Sequence, residues 1–166
     1  QLNAFNPNDF NEIPNSYKSD FGGITVTLPS FEIENIINVN SYYSSGTGKN
    51  DLIIGRDKRD VIYSSKDNGK YKNVDTKSDA VFAGGGNDYI QAGRTTGVAY
   101  LDGGAGNDKI YGTSTNNEQL GIGDIINGGD GNNVIVSGAG DDIVYGGAGD
   151  DSFYNRAENG VRDSDN

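Results

Sequence analysis

The chain has 166 residues, of which 33% are hydrophobic and 26 are glycine, and its net charge is −11. That composition leaves little for a large conventional core and argues against a nucleic-acid backbone or an anionic membrane as partner. With no Cys and no His, disulfides, thiolate zinc sites, thiol nucleophiles and Ser-His-Asp chemistry are ruled out.

Acidity is carried by 19 Asp against only 5 Glu, and a further 21 Asn make Asx about a quarter of the chain. Asx and Gly together shape turns and present short-tethered oxygen ligands. No apolar run is long enough to span a membrane, and no signal-peptide core opens the sequence. Methionine is absent even at position 1, so the chain is expected to be a piece of a longer protein.

Residues 1–45 form a flank with two β-like runs, 24–28 and 31–39, the second leading onward. The flank is read as a connector or cap without a site of its own. A period of nine begins at Gly46. Weak copies come first: GTGKNDLII from Gly46, GRDKRDVIY from Gly55 and VDTKSDAVF from Val74. Stronger ones follow: AGGGNDYIQ from Ala83, GGAGNDKIY from Gly103, GGDGNNVIV from Gly128, SGAGDDIVY from Ser137 and GGAGDDSFY from Gly146.

The sixth position of each unit is Asp or Asn: Asp51, Asp60, Asp79, Asp88, Asp108, Asp124, Asn133, Asp142 and Asp151. Two places later comes a large apolar residue: Ile53, Ile62, Val81, Ile90, Ile110, Ile126, Ile135, Val144 and Phe153. Leu101 fills that slot in a degenerate unit that has lost its aspartate. The other gaps fit insertions at residues 64–73 and within 113–120. The tail, 155–166, is polar and is expected to lead to the rest of the parent polypeptide.

Each unit reads as six turn residues and a three-residue strand. Alternation in the strand points its middle residue inward and its neighbours outward. Ten such side chains make a thin apolar column, too thin to fold the chain alone, and a metal must supply the difference. Glycines at positions 1, 2 and 4 permit positive φ, so that carbonyl oxygens can converge, while positions 5 and 6 add side-chain oxygens. Carbonyls mixed with carboxylates suit Ca²⁺. Neither an EF-hand loop nor a phosphate loop ending in G-K-[ST] is present. Carboxylate pairs such as Asp141–Asp142 and Asp150–Asp151 fall on repeat positions and read as ligands rather than as a glycosidase dyad. Tyr63, Tyr89, Tyr111 and Tyr154 take outward strand positions, where they read as strand formers.

The pattern G-G-x-G-x-D-x-U-x, with U a large apolar residue, is met in full at Gly103 and Gly146 and resembles the RTX calcium-binding nonapeptide repeat over residues 46–154. Ile33-Glu34-Asn35 is similar to a segment that often precedes the first repeat in that family. The resemblance implies an all-β fold, a right-handed parallel β-roll of about five coils with a short β-containing flank. It implies a calcium-binding module, not an enzyme, within a large protein exported by type I secretion machinery from a Gram-negative bacterium. The alternative reading is the C-terminal module of an exoenzyme, such as a protease, a lipase or a polysaccharide-modifying enzyme, and after it an adhesin or surface-layer segment.

If residues 64–73 form a loop within one turn, the units alternate between two edges of the roll. The first edge stacks the turns ending at Asp60, Asp88, Asp108, Asn133 and Asp151. The second stacks those ending at Asp51, Asp79, the degenerate unit, Asp124 and Asp142. In the family, ions sit between adjacent turns of one edge. The implied metal-binding residues on the first edge are Gly84, Gly85, Gly86, Asn87 and Asp88; Gly103, Gly104, Ala105, Gly106, Asn107 and Asp108; Gly128, Gly129, Asp130, Gly131, Asn132 and Asn133; and Gly146, Gly147, Ala148, Gly149, Asp150 and Asp151. On the second edge they are Gly121, Gly123 and Asp124, with Ser137, Gly138, Ala139, Gly140, Asp141 and Asp142.

Three good sites are expected on the first edge and one more on the second. Lys49, Lys58 and Lys77 stand where glycine belongs and mark the early turns as capping or calcium-free. About three to five ions would offset most of the negative charge. The sheet carrying Ile53, Val81, Leu101, Ile126 and Val144 has an unusually apolar outer face, which part of residues 10–45 is expected to cover.

Overall fold

The computed structural model describes residues 18–21, 24–27, 33–65, 77–93, 97–114 and 123–155. Every element among them is a strand. β1 (Lys18–Phe21) and β2 (Ile24–Thr27) pair antiparallel, Lys18 opposite Thr27. The remaining twelve strands alternate between two parallel sheets. One sheet holds β3 (Asn35–Asn38), β5 (Asp51–Ile54), β7 (Asp79–Phe82), β9 (Ala99–Asp102), β11 (Ile125–Asn127) and β13 (Ile143–Tyr145). The other holds β4 (Tyr43–Ser45), β6 (Val61–Tyr63), β8 (Tyr89–Gly93), β10 (Lys109–Thr113), β12 (Val134–Val136) and β14 (Ser152–Tyr154). Consecutive strands lie in opposite sheets and every neighbour within a sheet is two strands away in sequence, which is the parallel β-roll.

Register follows the period of nine. Ile53, Val81, Leu101, Ile126 and Val144 stand in one row, and Ile62, Ile90, Ile110, Ile135 and Phe153 in the other. Leu101 keeps its place although its unit lost the aspartate, because the inward slot is set by strand pairing. The two rows meet between the sheets as one core, and Ile53, Ile62, Val81, Ile90, Leu101, Ile110 and Ile126 are fully buried there.

Among the described residues the coil count is six, one more than the ten units predict. Asn35–Asn38 pairs with β5, and Tyr43–Ser45 pairs with β6, so residues 35–45, counted with the flank, supply a coil ahead of the first unit. Ile37 opposes Ile53 and takes the inward slot. The pattern is legible in retrospect: Asn35 and Ile37 have the spacing of a sixth position and its apolar partner. The glycines that would have advertised a turn are missing.

The apolar outer face is covered at its middle. Leu52, Ala80, Tyr100 and Ile125 are buried and cluster with Ile33 from the flank, with Ile54, Phe82 and Tyr145 packed against them. Ile36 and Ile143, at the two ends of the same face, are exposed. The side chains of Ile24, Val26, Leu28 and Phe31, also expected on this face, lie outside the described residues. The other sheet's outer face carries a tyrosine ladder. Tyr43, Tyr63, Tyr89 and Tyr111 follow one another with ring centroids 5.6, 6.0 and 5.2 Å apart, each tilted against the next. These rings are spent on one another, which strengthens the strand-forming reading.

Burial grades along the core row, and so does the expected cost of truncation. Ile110→Ala, at a fully buried mid-column site, should cost about 2–5 kcal/mol. Phe153→Ala, whose ring is 56% exposed on the last coil, should cost under about 1 kcal/mol. Urea unfolding at saturating calcium compares the two, and equal losses would contradict this packing.

Candidate metal-binding turns

The turns stack as two edges, and a side-chain ladder joins each turn to its neighbours. At position 6 the carboxylate reaches back one coil. The backbone N–H of Asp60 donates to Asp88 Oδ1 at 2.7 Å, that of Asp88 to Asp108 Oδ1 at 2.7 Å, that of Asp108 to Asn133 Oδ1 at 2.9 Å and that of Asn133 to Asp151 Oδ1 at 2.9 Å. On the second edge the N–H of Asp51 donates to Asp79, that of Ala99 to Asp124 and that of Asp124 to Asp142. At position 5 the direction reverses. Asn87 accepts from the N–H of Asn107, Asn107 from that of Asn132, and Asn132 from that of Asp150. Asx suits both places, because its short side chain carries an sp² oxygen that spans one coil spacing to a neighbouring N–H.

These contacts place the first-edge turns in the predicted stack. Their third residues, Asp57, Gly85, Ala105, Asp130 and Ala148, bridge in that order. The insertions expected at 64–73 and within 113–120 both fall between a strand of the second sheet and the next strand of the first, on the second edge, and the first-edge turns lie wholly within the described residues. Gly121 lies outside the described residues. Gly123 sits against Asp141 and Asp142, and Ser137, Gly138, Ala139 and Gly140 form the facing turn.

Glycine is required where turns approach most closely. Gly104 has φ +86, and a Cβ there would stand 2.0 Å from the Gly84 carbonyl oxygen, which accepts the inter-turn bond from Ala105. Gly106, with φ +136, is in the same position toward the Gly86 carbonyl at 1.8 Å. Gly129, Gly131, Gly147 and Gly149 repeat both contacts one and two coils on.

The site's electrostatics follow from burial. Asp88 and Asp108 are 2% and 1% exposed, and each spends only Oδ1 on the ladder. Their Oδ2 atoms are buried with no hydrogen-bond donor. Asp108 Oδ2 and the Gly128 carbonyl oxygen both lie 2.5 Å from where a Cβ on Gly103 would sit, so two acceptors face one small space. Acceptors so placed call for a cation or a proton. Burial accordingly pushes the Asp88 carboxyl up to about 6 and the Asp108 carboxyl up to about 7, against the N–H donors that pull them down. Asp124, also buried, is pushed up to about 6. Among the described residues no three carboxylates gather at one point. The space at Gly103 offers a carboxylate oxygen and a carbonyl oxygen, hard donors of the kind Ca²⁺ accepts. A cation held there would neutralise the buried oxygen.

Several functional residues escaped the sequence reading. Arg56, at position 2 of its turn, directs Nε and a terminal guanidinium nitrogen onto Asp60 Oδ1, with the Nε contact at 2.8 Å. Among the expected early cations, Lys77 instead reaches back to Glu34, at 3.0 Å. Glu34 and Asn35 act as positions 5 and 6 of the first coil. The N–H of Asn50 donates to Glu34 Oε2 at 3.0 Å, and Asn35 Nδ2 donates to Asp51 Oδ1 at 2.8 Å. The Ile33-Glu34-Asn35 segment therefore enters the ladder.

A raised carboxyl pKa sets the pH response. Asp88, Asp108 and Asp124 hold protons in the folded chain at pH values where an unfolded Asp, near 3.9, has lost them. Without metal, their contribution to stability is therefore present at about pH 4 and lost as the pH rises through 6 to 7. In EDTA, acidification from pH 8 toward about 4.5 should raise the β-signal in circular dichroism. Calcium titrated in at about pH 5.5 should release protons, and at pH 8 almost none, as calorimetry in buffers of different ionisation heat would show. In the same titrations Asp108→Ala, which removes both the Asp88 acceptor and the orphaned oxygen, should move the folding midpoint several-fold upward in calcium. A midpoint like that of the unaltered chain would refute the edge assignment.

Comparison with known proteins bears on the same turns. A family model for the RTX calcium-binding nonapeptide repeat matches four times, at residues 45–68, 75–94, 95–118 and 121–153, together more than half of the chain. No curated protein and no solved structure gave a match. The matched segments carry the stacked turns, the apolar rows and the ladder aspartates just described, and the chain belongs to the RTX calcium-binding nonapeptide-repeat family.

Proposed function

We propose that this chain is a calcium-folded module of a large secreted bacterial protein, with a structural and export role and no chemistry of its own. The observation that carries the reading is the pair of buried, donorless oxygens on Asp88 and Asp108. A fold that buries carboxylates this way is poised to be unstable until a cation arrives. Each coil has only two inward side chains, too little apolar area to offset the ordering of about eighteen residues. Where calcium is scarce the acidic chain stays open, repelled by its own charge, and passes through a type I exporter. Outside the cell, calcium at extracellular levels supplies the missing charge and the coils close.

The residues proposed to hold the ions are the turns from Gly84 to Asp88, Gly103 to Asp108, Gly128 to Asn133 and Gly146 to Asp151, with the facing turns of Asp124 and Asp142 on the second edge. Residues 35–45 form the first coil, the residues before them lead into the roll and 155–166 lead out of it. A Gram-negative source and a catalytic or adhesive parent are consistent with this role, and the parent's activity then resides outside the coils.

Far-ultraviolet circular dichroism during a calcium titration tests the proposal. In excess EDTA at pH 8 the spectrum should be that of a largely disordered chain, and β-structure should appear cooperatively at about 10⁻⁴–10⁻³ M calcium. Magnesium should substitute poorly, because it gives up its water reluctantly. A β-rich spectrum in EDTA at that pH would refute calcium-driven folding.

A further inference from the structure

The first-edge turns differ in how position 6 is satisfied, and the difference tracks two residues. Where position 2 is not glycine, its own backbone N–H closes the turn onto the carboxylate. The N–H of Arg56 donates to Asp60 Oδ2 at 2.8 Å, and that of Thr47 donates to Asp51 Oδ2. Thr113 does the same for Asp124 Oδ2 at 2.6 Å. The side chains then complete the closure: the Arg56 guanidinium holds Asp60 Oδ1, and Thr47 Oγ1 donates to Asp51 at 2.9 Å. At Gly84 and Gly104, with φ +96 and +86, that closure is absent and Asp88 and Asp108 Oδ2 have no donor.

Asn133 closes its turn by another route. Its Oδ1 serves the ladder as an aspartate would, and its Nδ2 donates to the Gly146 carbonyl at 3.3 Å and the Gly131 carbonyl at 3.4 Å. Nδ2 lies 2.8 Å, and the Gly146 oxygen 2.3 Å, from where a Cβ on Gly128 would sit. One coil earlier, Asp108 Oδ2 and the Gly128 oxygen occupy the equivalent places around Gly103. The amide N–H groups thus stand where Asp108 leaves two acceptors facing one another.

We propose that this chain carries built-in substitutes for calcium at two first-edge turns, the guanidinium of Arg56 at Asp60 and the amide of Asn133 at Gly146, so that metal is taken by the turns of Asp88 and Asp108 between them. The inference rests on the calcium-binding reading and refines it. Three first-edge ions, expected from glycine spacing alone, become two. The substituted turns hold their shape without metal and flank the calcium-dependent coils on both sides, so they act as templates against which those coils close.

Ion counting by native mass spectrometry at saturating calcium tests this, with circular dichroism confirming that each variant folds. Asn133→Asp should gain one ion. Asp108→Asn, which copies the Asn133 arrangement and keeps the ladder acceptor, should lose one. The pair Arg56→Gly with Lys58→Gly, which restores glycine at positions 2 and 4, should gain one. An unchanged count in Asp108→Asn, or in a folded Asn133→Asp or Arg56→Gly/Lys58→Gly protein, would overturn the substitution idea while leaving calcium binding intact. If Asn133→Asp or the glycine pair does not fold, Asp108→Asn decides alone. No bound calcium in the unaltered chain would instead refute the calcium-binding reading itself.

Discussion

Everything in this roll depends on the bond between a position-6 side-chain oxygen and the backbone N–H one coil earlier. That bond fixes the coil spacing, because a side chain as short as Asp or Asn can bridge only one spacing. It also buries the carboxylate. Asp79, Asp88, Asp108, Asp124 and Asp142, which accept that bond, are all nearly inaccessible to water. A carboxylate has two oxygens and the ladder uses one. What becomes of the second separates one turn from another.

The opposed direction of the position-5 bonds gives the stack a further property. Position 6 reaches back and position 5 reaches forward, so each turn is clamped to both neighbours. Inter-turn backbone bonds such as those from Ala105 to Gly84 and from Asp130 to Gly104 run alongside. These contacts need Gly at positions 2 and 4, since any Cβ would strike the adjacent carbonyl. The metal-binding chemistry and the packing therefore draw on the same glycines. Where the chain departs from glycine, as at Arg56 and Thr47, the incoming side chain takes over the task of satisfying the aspartate.

Much of this was legible because the signal is periodic and local. Alternation in a three-residue strand sends one side chain inward, and a spacing of nine repeats it, so the rows from Ile53 to Val144 and from Ile62 to Phe153 follow from counting. Parity then separates the two edges, and the stacking from Asp57 through Gly85, Ala105 and Asp130 to Ala148 matches it. The first coil was less legible, because Glu34 and Asn35 perform the ladder's work without glycines beside them. The role of Arg56 was not legible: Lys58, the cation that breaks the glycine pattern more visibly, drew the attention. Which cation meets Asp60 depends on how the turn folds back over four residues.

The sequence by itself determined the period, the inward rows, the alternation of edges and the oxygen-rich chemistry of the turns, because each of these is set by residue type at a fixed spacing. Tertiary structure decided which aspartate oxygens are answered from within the chain and which are left facing another acceptor. Asn133 and Asp108 differ by one amide in the sequence. Only the stacking of the next coil, which brings the Gly146 carbonyl to one and the Gly128 carbonyl to the other, turns that difference into a satisfied turn and an unsatisfied one. The reason is that a repeat specifies what each turn offers, whereas its neighbour across the coil spacing specifies what it meets.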